Sequence, residues 1–261
     1  MKILKILLLF FTVTAMANNS FAQLLERENI QSSIVTGTRP VAGNFGYYIG
    51  PSIVEIREIF DDELDVRGFP LMGFRYYLTD RFELRMSTQI YGTSEIIEGD
   101  LVNQIGEEDL IQKESFYRFA PSVQYHFASN NFLDTYAGLG VIVGTEIDEV
   151  ANTQKVNLTG DFVSESYYQS TFDIGFNLNF GIQAFIADLP IAIAAEASIR
   201  SLKRYNLQYE ATTRTSVGGV VNEQTFFTRD AEADLQYDAL NYSEYEIGSD
   251  VRVLISYFFR R

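Results

Sequence analysis

The residues that could act together chemically are charged side chains set within largely apolar segments. Glu196, for example, lies between Ala195 and Ala197. In an extended chain, successive side chains point to opposite faces, so these charges share a face and the apolar residues the other. We expect the charges to pair in a common interior, because an isolated buried ion costs several kcal/mol. The set is Arg75, Arg85, Arg118, Glu196, Arg200, Asp250 and Arg252.

Two roles are open for this set of charges. In the first, they form a packed, ion-paired plug that stiffens the protein. The expected strand register places Glu196 near Arg252, and Arg75 and Arg85 flank a short turn from which both can reach the same layer. In the second, Glu196 exchanges arginine partners and so gates the passage of ions.

Catalytic and metal chemistry is poorly supplied. His126 is the single histidine and there is no cysteine, so a Ser-His-Asp triad has one possible base and soft metal sites have few ligands. The acidic clusters at 61–65, 107–109 and 146–149 lack the spacing of an EF-hand loop. We therefore predict solvated acidic loops, no enzymatic activity, no metal and no cofactor.

The N-terminus indicates export. Lys2 and Lys5 accompany the apolar run 3–13, and the small-x-small sequence at 20–22 is typical of a signal-peptide cleavage site. The apolar run is too short to cross a bilayer of ~30 Å as a helix. We predict a signal peptide over 1–22 and a polar periplasmic lead-in over 23–40. Removing the two lysines takes the net charge from −15 to −17, which argues against nucleic acid as a partner.

The elements that position the charges are predicted to be strands, because apolar and polar residues alternate with a period of two. The clearest example runs from Thr171 to Ile186, with Phe172, Ile174 and Phe176 on one face and Asp173 and Gly175 on the other. No second apolar run approaches the ~20 residues of a membrane helix. Eight strands are expected, near 41–54, 67–78, 82–91, 114–127, 133–143, 171–186, 191–200 and 250–259.

The connections between these strands alternate in length. Short turns separate the second from the third strand, the fourth from the fifth and the sixth from the seventh, whereas long polar segments fall at 55–66, 96–113, 145–168 and 209–243. This alternation is typical of an all-β, transmembrane, up-and-down antiparallel β-barrel occupying 41–261. The segment 209–243 could form a hairpin above the membrane or an extra strand pair, which would give ten strands. A soluble β-sandwich with a solvated charged face is the alternative architecture.

At this level the chain resembles the small outer-membrane β-barrel proteins of Gram-negative bacteria. Its nearest groups are the eight-stranded OmpA-like transmembrane domain and the outer membrane protein β-barrel domain family common in Bacteroidota. The resemblance covers roughly 41–259 and includes the aromatic-ended final strand Val-Arg-Val-Leu-Ile-Ser-Tyr-Phe-Phe. It implies residence in the cell outer membrane, contact with its lipids and lipopolysaccharide, and recognition of the C-terminal strand by barrel-assembly machinery.

Three functions remain open for such a barrel. The first is a structural or surface-interaction role, with acidic outer loops whose partner the sequence does not name. The second is transport, as a narrow porin or as a carrier of small hydrophobic molecules. Pro51 and Pro121 slightly favour transport, because proline cannot donate to the sheet ladder and often marks a local break. A more distant third is an outer-membrane enzyme.

Overall fold

The computed structural model describes residues 39–60, 71–100, 106–129, 132–155, 161–186, 189–231 and 235–259. The predicted signal peptide and residues 23–38 of the predicted lead-in lie outside these residues. The elements, in chain order, are β1 (Phe45–Gly50), α1 (Ile53–Phe60), β2 (Leu71–Tyr77), β3 (Phe82–Asp100), β4 (Glu107–Ser129), β5 (Leu133–Lys155), β6 (Phe162–Phe185), β7 (Ile191–Tyr205), β8 (Tyr209–Val217), β9 (Val220–Thr228) and β10 (Ser243–Phe259).

Eight of the ten strands in the described residues form a closed antiparallel ring in the order β1-β2-β3-β4-β5-β6-β7-β10. The ring closes where β10 pairs with β1, from Phe45 opposite Phe259 to Ile49 opposite Ile255. It is continuous on the far side because β5 pairs with β6. The prediction of an eight-stranded antiparallel barrel is therefore confirmed.

The period-two alternation sets which residues face into the barrel. Along β6, Asp173 and Gly175 are buried while Phe172, Ile174 and Phe176 are exposed. The exposed row continues around the ring, because the outward positions of every ring strand near the short turns are uncharged and mostly apolar. We call these rows the apolar band. Its exposed members include Phe45, Tyr47, Ile49, Phe74, Tyr76, Phe82, Leu84, Ile90, Phe119, Val123, Leu139, Val141, Leu178, Phe180, Ile193, Ile199, Val251, Ile255 and Phe259.

The strands extend well past the band, which differs from the sequence-based prediction of long loops. β3 and β4 stay paired from Phe82 opposite Tyr125 up to Asp100 opposite Glu107. β5 and β6 stay paired up to Lys155 opposite Phe162. Much of 96–113 and 145–168 is therefore paired strand. The physical reason is that apolar alternation reports what surrounds a strand, whereas pairing requires only backbone hydrogen bonds. The upper halves of these strands are therefore paired, although their sequences lack the alternation of apolar and polar residues.

The first predicted strand, 41–54, ends early. Proline at position 51 lacks the N–H needed to continue the ladder, and α1 begins two residues later. Ser52 and Glu55 form a capping box: the Glu55 amide donates to Ser52 Oγ at 3.1 Å, and the Ser52 amide donates to the Glu55 carboxylate. The predicted loop 55–66 is thus helical as far as residue 60.

The segment 209–243 contains a hairpin outside the ring. β8 pairs with the upper part of β6, from Tyr168 opposite Glu210 to Phe162 opposite Ser216. The turn between β8 and β9 uses Gly218 (φ 60°) and Gly219 (φ 81°), as a two-residue type I′ loop requires. The hairpin lies beyond the apolar band, so the ring keeps eight strands.

Candidate functional site: the ion-paired lumen

Glu83 lies at the centre of the charge network near the short turns. Arg75 donates to it twice, from Nε to Oε1 at 2.9 Å and from Nη2 to Oε2 at 2.6 Å. Arg85 Nε donates to Oε1 at 3.0 Å. Both arginines and Glu83 are almost completely buried. Such paired, charge-assisted bonds are the strong class of hydrogen bond and fix the geometry as well as the charge.

The network crosses the barrel from wall to wall. Arg85 on β3 donates through Nη1 to Glu196 on β7, and in the eight-strand ring these two strands lie opposite each other. Tyr136 on β5 donates to the same Glu196 oxygen at 2.7 Å. On the other side, Arg75 Nη1 donates to Ser256 Oγ of β10 at 2.8 Å. Side-chain contacts therefore link five of the eight ring strands, β2, β3, β5, β7 and β10.

His126 extends the network to β4 and to the turn end of β5. Its Nδ1 lies 2.7 Å from Asp134 Oδ2 and its Nε2 lies 3.2 Å from Glu83 Oε2. Carboxylates only accept hydrogen bonds, so this arrangement suits an imidazole that donates from both nitrogens. Arg39, just before β1, places Nε 3.4 Å from the same Asp134 oxygen.

Aromatic rings fill the space around the two central arginines. The Arg85 guanidinium lies 5.2 Å from the centroid of Tyr48 and 5.1 Å from that of Tyr136. The Arg75 guanidinium lies 5.2 Å from the centroid of Phe258. Gly181 makes room for Tyr136, because a Cβ there would lie 2.2 Å from the tyrosine ring. We call the whole assembly the lumen plug; it consists of Tyr48, Arg75, Tyr77, Glu83, Arg85, His126, Asp134, Tyr136, Glu196, Ser256 and Phe258.

Above the lumen plug, the interior is less completely filled by side chains. A cavity of about 60 Å³ is lined mainly by polar side chains of β3, β4, β6, β7 and β10, among them Arg118, Asn177, Glu196 and Arg200, and by the apolar side chains of Leu71 and Ile142. That is room for a few water molecules. Arg118 Nη2 donates to Asp173 Oδ2 at 2.9 Å beside this cavity.

The structure divides the seven sequence-predicted residues among four sets of contacts. Arg75, Arg85 and Glu196 join in the lumen plug. Arg252 Nε donates to Asp250 at 2.6 Å and Nη1 to the Gly50 carbonyl at 3.0 Å. Arg118 pairs with Asp173, and Arg200 lies 3.5 Å from Glu246. Glu196 is the register partner of Arg252, as expected, yet its ionic partner is Arg85 from the opposite wall.

Eight residues of the lumen plug were not among the predicted site residues: Tyr48, Tyr77, Glu83, His126, Asp134, Tyr136, Ser256 and Phe258. All eight lie on inward rows of the ring strands, where their side chains are buried. Their membership in the inward rows could have been inferred from the alternation. Their convergence on one another could not, because it depends on which walls face each other.

Beyond the apolar band, one tyrosine is tied to the acidic upper wall. Tyr209 of β8 donates to Asp148 Oδ2 of β5 at 2.6 Å. Partial burial raises the pKa of the Tyr209 phenol, and the bond to the Asp148 carboxylate raises it further. The neutral phenol is therefore the form that this contact stabilises.

Among the described residues, no group of three or more His, Asp or Glu side chains is arranged to hold a metal ion. No helix in the described segments is long and apolar enough to cross a membrane.

Comparison with known proteins gives one structural likeness. No protein-family model matches the chain, and no curated protein matches it. Among solved structures, the crystal structure of CarO from Acinetobacter baumannii aligns with a TM-score of 0.33 and 9% sequence identity, covering 85% of this chain and 100% of CarO.

Proposed function

We propose that this chain is an integral barrel of the bacterial outer membrane. The outward rows support this assignment: on the eight ring strands, no outward residue of the apolar band carries a charge. A water-soluble ring would leave this surface uncovered, since no second sheet packs on it among the described residues. The short turns and the final residues of β10 gather at one end, which faces the periplasm in this proposal, and the long paired hairpins rise on the cell exterior.

The family resemblance, the N-terminal signal peptide and recognition of β10 by barrel-assembly machinery remain part of this proposal. So does contact with lipopolysaccharide.

The role best supported for the barrel is structural: a sealed scaffold that presents its upper β-structure at the cell surface. The observation that carries this conclusion is the bond between Arg85 and Glu196, which ties opposite walls together through buried side chains. An eight-stranded barrel has an interior that side chains can just fill. The lumen plug fills it, and each of its charged side chains has at least one partner of opposite charge. Solutes are therefore excluded from the periplasmic half.

The contacts of His126 fit the same role. Both ring nitrogens are engaged by buried carboxylates, so neither is available to a substrate at the outer rim. We accordingly propose no catalytic activity for this barrel.

A second candidate is slow transport of small molecules. The cavity above the lumen plug and the early end of β1 at Pro51 favour it, because among the described residues β1 pairs with β2 only as far as Gly50 and Leu71. In that case Glu196 would release Arg85 for another arginine, and the lumen would open intermittently.

Reconstitution in planar bilayers tests the two roles directly. The sealed scaffold predicts a protein that inserts, shows a heat-dependent mobility shift on a detergent gel, and gives no discrete current steps. Glu196→Ala should lower the unfolding temperature or introduce current steps. Stable current steps from the wild-type protein would favour transport. A Glu196→Ala variant with unchanged unfolding temperature and no current would show that the Arg85–Glu196 bond neither stabilises the barrel nor seals the lumen.

A further inference from the structure

Three lysines lie on the outward face of the described ring strands, and their surroundings differ. Lys113 lies 3.3 Å from Glu149, and Lys155 bonds to Glu107. The remaining outward lysine, Lys203 of β7, has no carboxylate within salt-bridge distance among the described residues. Its ammonium instead lies 4.6 Å from the centroid of the Tyr205 ring.

The surroundings of Lys203 are apolar or aromatic on both sides. Ile174 of β6 and Tyr245 of β10 are its register partners. Ile247, one outward position along β10, is 68% exposed and Tyr245 is 61% exposed. Tyr245 also shares a hydrogen bond of 2.8 Å with Ser201. A single positive charge therefore stands in a patch that otherwise offers hydroxyl groups and uncovered apolar surface.

This patch lies at the upper edge of the apolar band. On β6 the outward row is still apolar at Phe172 and Ile174, while on β10 the same register rows have reached Ser243 and Tyr245. Strands in a barrel are tilted, so a register row climbs from one strand to the next. Lys203 lies where the outward residues change from apolar on β6 to hydroxyl-bearing on β10. Such a change in composition marks the depth at which lipid headgroups meet a membrane barrel.

We propose that Lys203, Ser201 and the hydroxyl of Tyr245 bind the phosphate headgroup of an outer-leaflet glycolipid, whose acyl chains lie on the exposed rows below. The inference rests on the membrane orientation proposed above. Complementary charge singles out a phosphorylated lipid: in a chain with net charge −15, an outward cation without an acidic neighbour is suited to a negative headgroup.

Native mass spectrometry of the whole protein in mild detergent tests the proposal, with bis-phosphorylated lipid A as the probe and the same lipid after removal of both phosphates as its comparison. Lys203→Gln should weaken binding of the phosphorylated lipid roughly fivefold, the effect of one basic side chain at a membrane surface. It should leave binding of the dephosphorylated lipid unchanged. Lys203→Arg should retain most of the affinity.

Lys113→Gln is the matched control, because it removes an outward lysine that already has a carboxylate partner. Equal binding by Lys203→Gln and wild type, or an equal loss in Lys113→Gln, would overturn the site. Failure of the membrane assignment would look different: the wild-type protein would then bind neither lipid and would show no heat-dependent mobility shift.

Discussion

Replacing Glu83 by glutamine should be among the most destabilising single changes available in this barrel. The substitution keeps the size and planar shape of the side chain and removes its negative charge. Arg75, Arg85 and His126 would then surround a neutral amide at distances of 2.6 to 3.2 Å. The amide NH2 group can only donate, so it would face N–H donors without an acceptor between them.

The magnitude follows from burial. Glu83 and Arg75 are completely buried, and removing one partner of a buried ion pair costs about 3–5 kcal/mol, because the other charge is left uncompensated. Two arginines lose a partner here, so we expect the upper end of that range. The whole stability of a typical domain is only about 5–15 kcal/mol.

The assay is urea unfolding in detergent micelles or lipid vesicles, followed by far-ultraviolet circular dichroism and by the heat-dependent gel shift. Glu149→Gln is the control, since Glu149 pairs with Lys113 on the exposed outer wall, where both side chains are more than a third exposed. That pair should be worth about 0–1 kcal/mol. An equal urea midpoint for Glu83→Gln and wild type would refute the account of the lumen plug.

Two further changes probe packing and the outer wall. Gly175→Ala should cost about 1–3 kcal/mol, because its Cβ would lie 2.1 Å from the Ser201 carbonyl oxygen, whereas Gly92→Ala, with nothing closer than 3.9 Å, should be nearly neutral in the same urea assay. Tyr209 should ionise above the usual tyrosine pKa of about 10 in an ultraviolet absorbance titration, and Asp148→Asn should lower that value. Because the folded-state pKa is the raised one, the contact stabilises the fold below that usual pKa and is lost as pH rises through the raised value.

The alternation of residue types predicted the ring because it has a single physical cause. From Thr171 to Ile186 every second residue is apolar, and the structure exposes that row and buries the other. The same rule identifies the inward position of each charge. The strand ends were harder to predict. Ile96 pairs with Ile111 where two apolar residues follow each other in both β3 and β4, so apolar and polar residues do not alternate there.

The partners within the lumen could not be read from the sequence. Arg85 and Glu196 are 111 residues apart and meet because β3 and β7 face each other across the ring. Which residues share a level depends on the tilt and stagger of the strands, and local spacing does not contain these quantities. The prediction considered neighbouring strands only. It therefore paired Glu196 with Arg252, its register partner on β10, and missed Arg85 on the opposite side of the lumen.

The most direct test of the whole account is the environment of consecutive residues along β6. The chain has no cysteine, so single cysteines can be placed at each position from Phe172 to Phe180, spin-labelled and reconstituted in lipid vesicles. Accessibility to oxygen, which concentrates in lipid, should peak at Phe172, Ile174, Phe176, Leu178 and Phe180, with the intervening labels protected. High accessibility of the Phe176 label to a water-soluble nickel chelate, or no alternation along the strand, would contradict a barrel whose outer face meets lipid.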